Sequence, residues 1–151
     1  MNIFVTAIGG ENSEQSAARL TRDVLSLKPA AITIDYALND RRIRLARAEQ
    51  AWRAMIAAAL QKNVKDILLT PTGDLSANLE NPNDPLNQHA EQIRRLAAEC
   101  HVGLVDSLAQ FKDYVRNGGQ PADLMAQVNH TNRQGHGLVA AELLKRFPAN
   151  I

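Results

Sequence analysis

Cysteine is nearly absent from this sequence, and its scarcity limits the kinds of site the chain can hold. The only cysteine is Cys100, which excludes an internal disulfide and any metal site built from several cysteines. No apolar run approaches the roughly 18 residues of a membrane-spanning helix, so no membrane span is predicted. No basic block occurs and the net charge is only +1. Nucleic-acid binding therefore has little support.

Targeting and cofactor signals are also lacking. The N-terminus, MNIFVTAIGG, has no basic region and no cleavage site, so we expect a cytoplasmic chain without a signal peptide. Gly9-Gly10 lacks the fuller glycine pattern of a dinucleotide site, and no P-loop occurs. His130 and His136 are six residues apart, a spacing that places them on different faces of a helix. No cofactor and no metal are expected.

The residues that are present suit one folded domain. Apolar residues make up 45% of the chain and charged residues 22%, which is ordinary for a soluble globular protein. The length of 151 residues is enough to bury about two thirds of the unfolded surface. Repeats, low-complexity segments and linkers are not found, so a single domain over residues 1–151 is predicted.

Short β-rich runs alternate with longer helical patterns along the chain. The predicted strands are IFVTAI (3–8), AITIDYAL (31–38), ILLT (67–70) and VGLVD (102–106). The predicted helices begin after the capping box NSEQ (12–15), cover 42–61, 86–99 and about 108–115, and end with a last helix that runs to about Phe147. This alternation predicts parallel strands with right-handed crossovers, in a three-layer α/β/α sandwich.

Ligands bind beyond the carboxyl ends of the strands in such sheets, and this rule selects the candidate site residues. Gly10 follows the first predicted strand, and Asn39 follows the second. His130 lies in the loop before the last helix, from which it can reach the same edge. A backbone N–H, an amide donor and a histidine base at one edge suit acyl transfer, with the donors on the developing oxyanion.

The same residues carry a resemblance to a known family. GGENSEQSAARLTRDVLSLKPAAITIDYALND resembles the second and third conserved blocks of SGNH (GDSL-like) hydrolases, and VNHTNRQGHGLVAAEL resembles their last block. The resemblance implies a flavodoxin-like parallel sheet and a serine esterase that acts on acyl esters of carbohydrates or small alcohols. It implies that the Gly10 backbone and the Asn39 side chain are oxyanion donors, and that His130 is the general base.

Two departures from the family pattern bear on activity. The first block, a strand ending in Gly-Asp-Ser that carries the nucleophile, has no counterpart here. The resemblance therefore implies a sheet without the family's first strand, whose open edges would be covered by dimerisation, strand exchange or movement of residues 3–8 into the vacancy. Gln127 stands where the family has an aspartate three residues before the histidine. A glutamine can orient an imidazole but stabilises its cation poorly.

The nucleophile is the open question. Ser13, at the start of the first helix, is one candidate, although a capping role is the simpler interpretation. Ser76 and Ser107 are weaker candidates. Orientation of His130 by a carboxylate would have to come from elsewhere in the chain, and the acids considered for this are Asp84, Asp106 and Asp123.

Three hypotheses follow. The first is a serine esterase of this family, and the second is an inactive or truncated member with a ligand-binding or assembly role. The third is an unrelated flavodoxin-like binding module. His89 and His101, in or beside the third long helix, are expected to be solvated.

Overall fold

The computed structural model describes residues 2–147. Its helices are α1 (Ser13–Asp23), α2 (Ala37–Asp40), α3 (Leu45–Gln61), α4 (Pro85–Glu99), α5 (Ser107–Arg116) and α6 (Arg133–Leu144). Its strands are β1 (Ala31–Ile34), β2 (Lys65–Leu69), β3 (Gly103–Val105), β4 (Met125–Gln127) and β5 (His130–Thr131). Single 3₁₀ turns occupy Leu25–Leu27 and Pro121–Leu124.

The main sheet is parallel and has the order β1-β2-β3. Ile34 lies opposite Leu68, and Leu69 lies opposite Val105. Each pair of neighbouring strands is connected by a helix, which confirms the predicted α/β architecture. Strands β4 and β5 form a separate antiparallel hairpin that the sequence patterns did not predict.

Helices cover both faces of the main sheet. On one face, Ile32, Ile34 and Leu68 pack against α1, α3 and α4, with Trp52 fully buried in the centre. On the other face, Ile67, Leu69 and Val105 pack against Val139 and Leu143 of α6. These layers are the predicted three-layer sandwich. The face covered by α1, α3 and α4 holds the larger core, because three helices contribute to it. Only α6 contributes to the cluster on the opposite face.

The start of α1 is fixed by the predicted capping box. The Asn12 side chain accepts from the Gln15 N–H at 3.1 Å, and the Gln15 side chain accepts from the Asn12 N–H at 3.0 Å. Two helix N–H groups that have no partner within the helix are thereby satisfied. The polar turn ahead of α1 is consequently held in one position, and this turn leads from the candidate glycine into the helix.

The predicted strand over residues 3–8 is wrong. These residues belong to neither sheet, and Ile3, Phe4, Val5 and Ile8 are 76%, 68%, 87% and 57% exposed. A strand needs a neighbour to satisfy its backbone N–H and C=O groups, and no described strand lies beside this segment. The segment has the composition of a strand, but no described strand pairs with it.

Several predicted boundaries move. The run AITIDYAL leaves the sheet after Ile34, because the N–H groups of Asn39 and Asp40 bond to the Tyr36 carbonyl and begin α2. The helix predicted over 42–61 begins at Leu45, and the last helix ends at Leu144.

The expected solvation of His89 is also wrong. His89 lies on α4 and is only 3% exposed, whereas His101 is exposed as expected. Among the described residues, no helix is long and apolar enough to cross a membrane.

Candidate active site

Asn39 and the Gly10 turn lie next to each other at the carboxyl end of β1. The Asn39 Nδ2 donates to the Glu11 carbonyl at 2.8 Å. Gly10 has a φ of 78°, in the left-handed region that glycine adopts without strain, and a Cβ added there would meet nothing within 4 Å. One Asn39 N–H thus holds the turn, and the second N–H of the same amide has no partner among the described residues.

Glu11 anchors this turn from the other side. Its buried carboxylate accepts from the Arg19 Nε at 2.7 Å and from the second guanidinium nitrogen at 2.6 Å. The Arg19 guanidinium holds the pKa of Glu11 below its ordinary value. Bidentate pairs of this kind are both strong and directional. The turn that carries Gly10 is therefore fastened to α1 by charge and to α2 by the Asn39 amide.

Asp40, the neighbour of Asn39, fixes α2 against the core. Its carboxylate is fully buried and accepts from the Ser13 N–H at 2.8 Å and from the Trp52 Nε1 at 2.7 Å. No sequence pattern pointed to this role for Asp40. The signal that could have identified its role is the pairing of an acid beside the candidate amide with a tryptophan on the buried face of the next helix.

Ser13, the proposed nucleophile, is enclosed by the same contacts. The residue is fully buried, and its hydroxyl has no hydrogen-bond partner among the described residues. A nucleophile must meet its ester, and this burial weighs against Ser13, whose role stays a prediction. Ser107 is equally buried, and the Ser76 hydroxyl donates to Asp74 at 2.5 Å.

The loop after β2 is tied to α2 by a buried ion pair. Asp74 is 4% exposed and contacts the Arg41 guanidinium at 2.6 Å. Burial alone would raise the pKa of Asp74, but hydrogen bonds from Ser76 and Arg41 outweigh it and keep the pKa below its ordinary value. The next residue, Leu75, donates its N–H to the Val128 carbonyl at 2.8 Å. This loop therefore links α2 to the β4–β5 hairpin.

His130 begins β5 and is exposed. Its Nδ1 lies 2.7 Å from the Asn129 Oδ1. Since that oxygen only accepts, the contact is a hydrogen bond when Nδ1 carries a proton, and Nε2 has no partner among the described residues. The sequence analysis missed Asn129, although an amide beside a candidate base is a recognisable signal.

The acids considered for orienting His130 are engaged elsewhere. Asp84 caps α4, and Asp106 contacts Arg94 and Thr70. Asp123 accepts from the Tyr114 hydroxyl. Gln127 is exposed and pairs with His130 across the hairpin. Within residues 2–147, no carboxylate contacts the imidazole.

One open cavity of about 280 Å³ is lined by residues of α2 and of the loop that precedes His130. Most of its lining is polar: Leu38, Asn39, Arg41, Arg42, Ser76, Ala77, Asp84, Pro85 and Asn129. Asn39, which contacts the Glu11 carbonyl, and Asn129, which contacts His130, thus line the same space. Gly10, Ser13 and His130 are not themselves among the lining residues. In the described part of the chain, no group of three or more histidine, cysteine or acidic residues is placed to hold a metal ion.

A parallel sheet covered by helices on both faces, with a polar cavity lined by Asn39 and Asn129, defines the fold class, and the sequence then gives the family. The pattern of the GDSL-like lipase/acylhydrolase family matches residues 1–138. The chain therefore belongs to that family, which is one of carboxylic ester hydrolases. A comparison with curated proteins found no match.

Solved structures confirm the fold. An acetylxylan esterase from Geobacillus stearothermophilus is 23% identical with a TM-score of 0.79, over 90% of this chain and 67% of that one. Another acetyl xylan esterase is 24% identical with a TM-score of 0.80, over 93% and 78%. An α/β hydrolase from the metagenome of Lake Arreo, Spain, is 25% identical with a TM-score of 0.79, over 90% and 67%. Catalytic mutants of the Geobacillus enzyme replace a serine, an aspartate and a histidine by alanine.

Proposed function

We propose that the cavity between Asn39 and Asn129 binds the acyl group of a carboxylic ester for hydrolysis. In this proposal, the free Asn39 N–H and the Gly10 backbone N–H donate to the oxyanion. His130 Nε2 takes up the proton of the nucleophile that attacks the ester. The observation that carries the proposal is the shared cavity, which joins the Asn39 amide to the residue that holds His130. Donors held in place before the reaction stabilise the developing charge most effectively.

The dimensions of the cavity favour a small acyl group on a polar alcohol. A space of about 280 Å³, open to solvent, holds an acetyl group and part of an alcohol. Its lining offers amide, guanidinium and hydroxyl groups, which suit a hydroxyl-rich partner such as a carbohydrate. Two of the structural relatives are acetylxylan esterases, which supports the same substrate class.

A second function, ligand binding without turnover, is favoured by a specific observation. Ser13 and Ser107 are fully buried, and the Ser76 hydroxyl is committed to Asp74. A site with a base and oxyanion donors but no accessible nucleophile still binds an ester. Donors and binding alone leave about 10³ to 10⁴-fold acceleration over water when a catalytic triad is incomplete.

Labelling separates the two functions. The purified protein is incubated with a fluorophosphonate probe, and any adduct is located by mass spectrometry. An adduct on one serine that disappears in His130→Ala supports the esterase with that serine as the nucleophile. No adduct, beside an esterase that labels, refutes a serine mechanism and leaves ligand binding. Hydrolysis of 4-nitrophenyl acetate is measured in parallel.

A matched histidine controls for unspecific hydrolysis. His101 is exposed and follows α4, outside the candidate site, so His101→Ala removes an imidazole without touching the cavity. We expect His130→Ala to lower acetate ester hydrolysis by about 10² to 10⁴-fold, the usual contribution of a general base, and His101→Ala to leave it unchanged. Equal losses in the two variants, or none in either, refute His130 as the base.

A further inference from the structure

The outer edge of β1 is open. Strand β1 pairs only with β2 among the described strands. The Ala30 carbonyl accepts from the Lys65 N–H at 3.1 Å and so points towards β2. Because backbone groups point to alternate sides of successive residues in a strand, the N–H and C=O groups of Ala31 and Thr33 point outwards. Such a row of unpaired groups is a template for another strand.

The same chain carries a segment with the properties of that strand. We call residues 3–8 (IFVTAI) the N-terminal segment. Four of its six side chains are large, apolar and more than half exposed. In the described part of the chain, residues 3–7 make no hydrogen bond, and Ile8 makes one, from the Glu11 N–H to its carbonyl. β-Branched and aromatic residues favour strands once a partner is available.

We propose that two copies of this chain exchange their N-terminal segments, so that residues 3–8 of each lie along the open edge of β1 in the other. Each chain offers both a segment and an open edge. The reciprocal exchange therefore closes into a two-fold symmetric dimer in which no segment and no β1 edge stays unpaired. Within residues 2–147 of one chain the segment and the edge are both open, and a second copy supplies a matching edge and segment at once.

The hinge, the area and the charge fit this exchange. Gly9 and Gly10 lead out of the segment in open space, and Gly10 already has a left-handed backbone. Specific interfaces begin at roughly 1,200 Å² of buried area, and the exchange brings four large exposed apolar side chains from each chain into the interface. With a net charge of +1, two copies repel each other little.

Oligomeric state is the first test. Size-exclusion chromatography with light scattering is expected to give twice the monomer mass for the unchanged chain. Successive N–H groups of a strand point to opposite sides, so the double variant F4P/V5P removes one N–H donor whichever side of the segment faces β1. Because the segment is exposed, the variant is expected to give monomers with an unchanged circular-dichroism spectrum. Leu144→Glu changes another exposed apolar residue and is expected to remain dimeric. A monomeric unchanged chain, or a dimer that survives F4P/V5P, overturns the proposal.

Cysteine pairs identify the occupant. In a Cys100→Ser background, Thr33→Cys is mixed with Phe4→Cys or Val5→Cys and oxidised. Successive side chains face opposite sides of a sheet, so only one of the two mixtures is expected to form a disulfide-linked heterodimer. In two further variants, Thr33→Cys is combined in the same chain with Phe4→Cys or with Val5→Cys. A disulfide within a monomer would show that the segment closes on its own edge, and it would overturn the exchange.

Discussion

Asn39 depends on a single hydrogen bond for its orientation, and that bond is also what ties it to Gly10. The Nδ2 to Glu11 carbonyl contact of 2.8 Å fixes the amide plane and so aims the remaining N–H. Sequence patterns predicted Asn39 directly after a strand ending at residue 38, whereas the strand ends at Ile34 and Asn39 lies in α2. The patterns could not predict the Glu11 contact, because that contact joins residues 28 positions apart.

Replacing Asn39 tests the oxyanion role directly. Asn39→Ala is expected to lower kcat for acetate ester hydrolysis by about 10² to 10³-fold with little change in KM, since an oxyanion donor acts mainly in the transition state. The matched control is Asn83→Ala, which removes an exposed amide from the loop before α4. Unchanged kcat in Asn39→Ala would remove this residue from the mechanism.

Asn129 is a positioning residue for His130 in this arrangement. Asn129→Ala is expected to lower kcat about tenfold, because the imidazole loses the partner of its Nδ1. Asn129→Asp is expected to restore much of the rate. Its carboxylate stabilises the imidazolium, so the acidic limb of the pH–rate profile moves to higher pH. A limb that moves while the rate of Asn129→Asp stays as low as that of Asn129→Ala would contradict the positioning role, and an unmoved limb would show that His130 is not the group that titrates in the profile.

At the scale of elements, periodicity predicted what depends on local sequence and missed what depends on partners. The three parallel strands and the long helices follow from apolar runs and caps such as Asn12 with Gln15. The segment at residues 3–8 has the same local character as β1 but no neighbour, and no single-chain pattern contains that information. Helix α2 was missed because ALND continues an apolar run, while Asp40 is held there by Trp52, 12 residues away.

The candidate site shows the same division. Gly10 and Asn39 were selected as candidates because they follow predicted strands, and His130 because it precedes the last helix, although residues 3–8 before Gly10 form no strand. The contacts that connect them pass through Asp74, Leu75 and Asn129, which belong to a loop and a hairpin that lack periodicity. Loops of this kind are held by specific hydrogen bonds and ion pairs between distant residues, and no local sequence pattern predicts these contacts.

The ion pair between Arg41 and Asp74 can be tested as the link between α2 and the loop after β2. Arg41→Ala leaves the buried Asp74 carboxylate with only its Ser76 bonds, so we expect it to lower the free energy of unfolding by about 2 kcal/mol at pH 7. Urea unfolding measures this. Arg42→Ala is the matched control, because Arg42 is exposed and has no ion pair among the described residues; its effect should stay within about 0.5 kcal/mol.

The pH dependence of that effect has a definite sign. The pKa of Asp74 is lowered in the folded state. Its stabilisation is therefore present above the ordinary pKa of the carboxyl and is lost as pH falls through the folded value. The difference between Arg41→Ala and the unchanged chain should narrow in acid. A difference that is constant with pH would mean that Arg41 acts through packing rather than charge.

For the whole molecule, one buried carboxylate opposes stability at neutral pH. Asp66 lies near the start of β2, at the end of the sheet away from the candidate site, and is 4% exposed. Neither of its carboxylate oxygens has a side-chain partner in the described chain, and the Ile67 N–H offsets the cost of burial only in part. Burial raises the pKa of Asp66 to about 7, because the charged form is poorly solvated there. The protonated form suits this site, whereas an ionised Asp66 does not.

A raised carboxyl pKa makes the folded state less stable as pH rises. Between about pH 4 and pH 7 Asp66 in the folded chain keeps the proton that it has released in the unfolded chain, so the contribution of Asp66 to the free energy of unfolding falls across this window and levels above it. Asp66→Asn cannot ionise and is expected to be more stable than the unchanged chain by about 2 kcal/mol at pH 8, with little difference at pH 4. Urea unfolding at both pH values measures the two differences, and Asp113→Asn on exposed α5 is the control, expected to show no such change. An equal gap at both pH values would mean that the gain comes from a new amide hydrogen bond, and that Asp66 does not titrate in this window.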